Sequence, residues 1–120
     1  MEKILEQSLL FDFYGELLTP HQRSIYEDFV QNDLTLGEIA GERGISRQGV
    51  YDIVRRCNRQ LEGYEQKLHL VDRFMKAKSK IEKIHSMAGQ LLETPEGDLR
   101  GCREGILRIE ALCDELIEEL

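Results

Sequence analysis

Apolar residues recur along this chain at helical rather than strand spacing. Between Lys3 and Leu17, Leu5, Leu9, Phe13 and Leu17 fall at four-residue steps, and Leu10, Tyr14 and Leu18 widen the face. The spacing predicts a first helix, with Gly15 marking either fraying or a close packing contact. Thr19-Pro20-His21-Gln22 then reads as a stop and restart. Thr19 suits an N-cap, Pro20 suits the first helical position, and Gln22 completes a capping box. Ile25, Tyr26, Phe29 and Val30 share one face of the helix that follows, which should end near Gln31 before the polar Asn32-Asp33. A second capping box, Thr35-Leu36-Gly37-Glu38, opens a short helix with Leu36, Ile39 and Ala40 inward. Gly44 suits its left-handed end, and Ser46 suits the cap of the next helix.

From Val50 the apolar positions alternate four- and three-residue steps through Val54, Cys57, Leu61, Tyr64, Leu68, Val71 and Met75. The stripe drifts by one position and continues through Phe74, Ala77, Ile81, Ile84, Ala88 and Leu91. A straight helix slips in this way against a seven-residue repeat. Gly63 predicts a bend or short break, followed by a long helix to about Leu92. Pro95 and Gly97 mark a turn. The last helix, from Asp98 to about Glu119, carries the stripe Leu99, Cys102, Ile106, Ile109, Cys113, Leu116 and Leu120. So regular a face implies burial, either against the preceding helix as an antiparallel pair or in a dimer seam. No strand pattern occurs, so the expected fold is all-α. Residues 1–62 are expected to form one domain and residues 63–120 a C-terminal helical arm for packing or dimerisation.

The stretch Leu36 to Leu61 fits a helix-turn-helix. Ala40 is small where the second helix must cross the first, Gly44 can adopt the positive φ of the turn, and Leu36, Ile39, Ile45, Val50 and Ile53 are apolar at the inward positions. The outer face of the second helix then presents the candidate nucleic-acid contacts. Ser46 caps a helix N-terminus, a favourable place for a phosphate. Arg47 and Gln48 have the fork geometries that read guanine and adenine edges. Tyr51 can stack on a base or hydrogen-bond a phosphate, while Arg55, Arg56 and Arg59 suit backbone contacts. Asp52 is awkward near phosphate, but can accept from a cytosine amino group or orient Arg55 or Arg56. Ordinary solvated surface charge is the competing reading of this face.

Charge changes the picture only when resolved along the chain. The net charge of −7 argues against a polyanion partner. Yet residues 35–60 carry +2 and 67–83 carry +4, set between ends of −5 (1–34) and −6 (84–120), with −2 over 61–66. The basic middle can serve nucleic acid, pair with the acidic helices, or do both. Cys57, Cys102 and Cys113 lie on apolar stripes without metal spacing and read as small buried hydrophobes. His21, His69 and His85 sit on separate helices without a triad, no phosphate-binding loop occurs, and Gly101 and Gly105 suggest at most close packing. No catalysis, cofactor or metal is expected. The chain has no eighteen-residue apolar run and no apolar leader, so the cytoplasm is the expected compartment.

Leu18-Thr19-Pro20-His21-Gln22-Arg23, Leu36-Gly37-Glu38-Ile39-Ala40 and Ile45-Ser46-Arg47-Gln48-Gly49-Val50 together resemble sigma factor region 4. Asp12-Phe13-Tyr14, the run Asp33 to Ala40, Ser46-Arg47-Gln48-Gly49-Val50-Tyr51-Asp52 and the run Leu61 to Leu68 resemble the YlxM family more closely. The resemblance covers about residues 5–71. It implies an all-α protein with a sigma region 4-like helix-turn-helix domain; the last fifty residues match only in being helical, and the long helix and antiparallel C-terminal helix that follow rest on the periodicity and short turn above. It also implies a nucleic-acid-binding protein of the signal recognition particle pathway, an accessory or a regulator of its genes, because the family's genes commonly neighbour that of the particle's GTPase. DNA or the particle's RNA is the implied ligand, the GTPase a further candidate partner, and a homodimer the expected state. His21 stands where the family usually carries lysine, and Gly49 where alanine is common, at a cost of about 1 kcal/mol in helix stability. A transcription regulator unrelated to the particle and a protein-interaction module remain the alternatives.

Overall fold

Helices begin where the sequence supplies caps. In the computed structural model, which describes residues 3–119, α1 spans Lys3–Tyr14 and runs into a 3₁₀ turn, Gly15–Leu17. Thr19 and Gln22 form the expected capping box at the start of α2, Pro20–Val30. Thr35 and Glu38 do the same for α3, Leu36–Arg43, which Gly44 ends at φ 65°. Ser46 caps α4, Arg47–Leu68. Then come α5, Leu70–Glu93, and α6, Leu99–Glu119, whose first turn is tied by Asp98 accepting from the Gly101 amide at 2.9 Å. The described residues are all-α and contain no strand. They divide into two compact units, Met1–Val71 and Asp72–Leu120.

The first unit packs α1 to α4 around Leu10, Phe11, Tyr14, Leu18, Ile25, Tyr26, Val30, Ile39, Ala40, Val50, Val54, Cys57 and Leu61. The inner stripes of α2, α3 and α4 follow the sequence reading, but α1 is turned. Its buried face is Gln7, Leu10, Phe11 and Tyr14, whereas Leu5 and Leu17 are more than half exposed and Phe13 is 37% exposed. Two aromatic rings decide this: Phe11 stacks at a tilt on Tyr26, and Tyr14 on Tyr64. A four-residue step of leucines carries no comparable area. Gly15 is a close-contact glycine, since a Cβ there would lie 2.9 Å from the Phe11 ring. Buried Tyr26 donates its hydroxyl to Asn58 Oδ1, and burial raises its pKa. Burial also lifts the Cys57 thiol to about 11.

Arg43, at the end of α3, bonds α2 by donating to Ser24 Oγ at 2.7 Å and to Asp28 Oδ2 at 2.8 Å. The Arg43 hydrogen bond, and next the one from Asn32, hold the Asp28 carboxyl below its usual range against the opposing effect of burial. A lowered folded pKa means that this stabilisation is complete above the unfolded value of about 3.9 and is lost as pH falls through the folded value. Asp28→Asn should therefore melt lower than wild type at pH 7, by about 1–2 kcal/mol for so well shielded a pair. Thermal melts in an acid series should show that gap closing.

The expected bend at Gly63 does not occur. α4 continues through it, because Leu61 and Tyr64 on either side are held by the core, against a glycine cost of only about 1 kcal/mol. The chain breaks six residues later, at His69, a non-glycine residue in the left-handed region at φ 56°. Tyr14 and Glu65 secure that break. Glu65 Oε1 accepts from the Tyr14 hydroxyl at 2.5 Å and from the Val71 amide at 3.0 Å, and Tyr14 Oη accepts from the Leu70 amide at 3.2 Å. The first amides of α5 are thus capped by side chains of α1 and α4. Burial foremost, and then the bond to Glu65, raises the Tyr14 pKa.

In the second unit α5 and α6 run antiparallel, as the short turn predicts. Lys80 pairs with Glu115 at 3.5 Å and with Glu119, and Leu91 fills the space over Gly105. The expected attraction between basic α5 and acidic α6 is thus seen at Lys80, while Lys76 pairs with Asp72 of its own helix at 3.0 Å. Burial of the α6 stripe is not achieved within the hairpin. Leu99 is 80% and Ile106 56% exposed, and no described residue of α5 or α6 is fully buried. Cys102 and Cys113, expected to be buried, are only partly so. One neighbouring helix can cover only one side of another. Leu120, the last position of the expected stripe, lies outside the described residues.

Candidate nucleic-acid interface

The helix-turn-helix assembles as its residue types require. Ile39 and Val50 are fully buried, Ala40 nearly so, and Ile45 and Ile53 pack at the edge of the same core. Gly44 turns the chain, and Ser46 Oγ accepts the Gly49 amide at 2.9 Å, fixing where α4 starts. A Cβ at Gly49 would lie 3.1 Å from that oxygen, so alanine there would have to displace the cap slightly.

At about 100° per residue, the buried line Val50, Val54, Cys57 and Leu61 leaves Gln48, Asp52, Arg55 and Arg59 on the opposite side of α4. Tyr51 flanks them on one edge and Arg56 on the other, whereas Arg47 projects only about 50° from the buried line, ahead of Val50 in the first turn. Ser46, Arg47, Gln48, Tyr51, Asp52, Arg55, Arg56 and Arg59 are all exposed. The structure does not make them one cluster, because Arg59 lies about 18 Å along the helix axis from Arg47. Gln48 Nε2 donates to Asp52 Oδ1 at 3.0 Å. Asp52 therefore orients Gln48 rather than Arg55 or Arg56, and Gln48 must leave it to read a base edge.

Tyr51 and Arg55 border a shallow hollow floored by Phe29, Leu36 and Val54, with Lys3, Gln7 and Asn58 on its rim. Lys3 thus adds a cation beside the recognition helix. Nothing in the sequence signals this, because α1 and α4 are distant in the chain and are brought together by tertiary packing. Arg43 was likewise not legible as the residue that fixes α3, and with it the turn, to α2. A second hollow, between α1 and α4, is acidic, with Glu6, Glu62 and Glu65 around Lys3, Gln7, Leu10 and Gln66. Three carboxylates gathered there make this side of the unit negative, in contrast to the arginine-bearing outer face of α4.

A two-helix motif of this geometry, held by α1 and α2 and carrying its cations outward on the second helix, defines a helix-turn-helix protein. The chain matches the UPF0122 family, described as "Putative helix-turn-helix protein, YlxM / p13 like", over residues 1–95, and it belongs to that family. It is 51% identical over 83 residues to a UPF0122 protein of Caldanaerobacter subterraneus subsp. tengcongensis, covering 69% of this chain and 71% of the relative. It is 41% identical over 114 residues to one of Shouchella clausii, covering 93% and 98%. A third relative, from Acetivibrio thermocellus, is 46% identical over 84 residues, covering 70% and 72%. The family's description is of a helix-turn-helix protein and not of an enzyme. Among the described residues, no helix is long and apolar enough to cross a membrane.

Proposed function

We propose that this is a cytoplasmic nucleic-acid-binding protein that acts as a homodimer through the sigma region 4-like second helix of its motif. Its place is the signal recognition particle pathway, as an accessory touching the particle's RNA or as a regulator of the operon's DNA. The observation that carries the ligand class is the outer face of α4, where Arg55 and Arg59 stand with Arg56 at its margin and Arg47 in the first turn, on a helix whose start is fixed by Ser46. The pathway, and the particle's GTPase as a further partner, rest on the family resemblance alone.

Gel-shift titration against duplex DNA, particle RNA and unrelated RNA at several salt concentrations tests the reading. With about four phosphates neutralised, log affinity should fall against log salt with a slope of about −4. Tighter binding to one of the three ligands names the target. No binding to any of them at low salt would remove the nucleic-acid reading. The exposed Leu5 of α1 and Leu17 of the 3₁₀ turn would then favour a protein-interaction module.

A further inference from the structure

The open stripe of α6 reads the same in both directions. Leu99, Cys102, Ile106, Ile109, Cys113 and Leu116 follow at steps of three, four, three, four and three, so residue types and spacing are both palindromic about the Leu107–Arg108 bond. In heptad terms Leu99, Ile106 and Cys113 are a positions, and Cys102, Ile109 and Leu116 are d positions. Two antiparallel helices related by a two-fold axis set each a against a d of the other, and a two-fold interface must be self-complementary. A palindromic seam meets that condition at every layer.

We propose that α6 pairs antiparallel with α6 of a second copy about a two-fold axis at Leu107–Arg108, joining two hairpins into a four-helix bundle. This rests on the homodimer proposed above and names its seam. Leu99 then meets the partner's Leu116, Cys102 the partner's Cys113, and Ile106 the partner's Ile109. Beside the seam, the e position Arg103 comes opposite the partner's Glu110, an attractive pair made twice by symmetry. One flank of the stripe is taken by α5, where Gly105 receives Leu91 and Glu115 and Glu119 hold Lys80. The hairpin leaves the stripe incompletely covered: Leu99 is 80% and Ile106 56% exposed, and Cys102, Ile109, Cys113 and Leu116 are only half-buried. A hairpin without one fully buried residue lacks a core, and a second hairpin supplies it.

The two cysteines make the register testable. Within one helix Cys102 and Cys113 are about 16 Å apart along the axis, so a short bis-maleimide cannot join them in a single chain. Cys57 is buried and does not compete. The full-length wild type treated with such a reagent should give a covalent dimer on a denaturing gel. Cys102→Ser alone and Cys113→Ser alone should each give none, because like cysteines are displaced along the seam. The two variants mixed and allowed to exchange subunits should give the covalent dimer again. Ile106→Glu, at an exposed position, should sediment as a monomer with its helicity retained. No covalent dimer in the wild type, crosslinking by either single variant, or a dimeric Ile106→Glu protein would overturn the seam. Gel-shift failure with crosslinking intact would count against the nucleic-acid reading and leave the seam standing.

Discussion

Arg47→Ala is expected to weaken binding to the preferred nucleic acid by roughly 5- to 150-fold, the effect of about 1–3 kcal/mol for one base-edge contact. The residue is exposed in the first turn of α4, so its removal touches no core contact and the circular dichroism spectrum should not change. Arg59→Ala supplies the comparison. Lying farther along α4, it should weaken binding alike for all sequences and reduce the salt slope by about 1, as the loss of one phosphate contact does. Gel shifts of both variants against matched and scrambled ligands separate reading from steering. Unchanged affinity and selectivity in Arg47→Ala would mean that α4 is not the reading helix, even with the motif intact.

Leu61→Ala should destabilise the first unit by about 2–5 kcal/mol, as a fully buried leucine cut back to a methyl leaves a cavity. Leu68→Ala, two turns later on the same helix, should cost less than about 1 kcal/mol, because Leu68 is already 48% exposed. Chemical denaturation followed by circular dichroism measures both. Equal losses would show that the stripe continues as a buried seam past the end of α4.

That pair also shows how far the sequence could be read. Periodicity treats Leu61 and Leu68 alike, as successive members of one stripe, and says nothing about where the opposing surface stops. Signals that act through the backbone within a few residues were fully legible. The two capping boxes at Thr35 and Thr19, the left-handed Gly44 and the Ser46 cap lie where their residue types demand. The fold class and the family were legible for the same reason, because a helix-turn-helix concentrates its requirements in one short stretch. Features set by distant partners were not. Leu5 of α1 and Leu17 of the 3₁₀ turn point outward because Phe11 and Tyr14 find aromatic rings on α2 and α4, and Lys3 reaches the edge of the recognition helix by the same packing. Propensity points to a helix break at Gly63, yet the break falls at His69, where Tyr14 and Glu65 are available to cap the new helix. Of the candidate site, the exposed edge of α4 could be anticipated residue by residue; the Gln48–Asp52 bond and the hollow beside Tyr51 could not.

The Tyr14–Glu65 cap bears on how the chain can be cut. A recombinant fragment ending at Glu62, where composition and a glycine invite the boundary, would discard Tyr64, Glu65 and Val71 and leave the Tyr14 hydroxyl without its acceptor. One ending a few residues beyond Val71 keeps all three. The shorter piece should be the more quickly digested by protease, although it contains every residue of the helix-turn-helix proper.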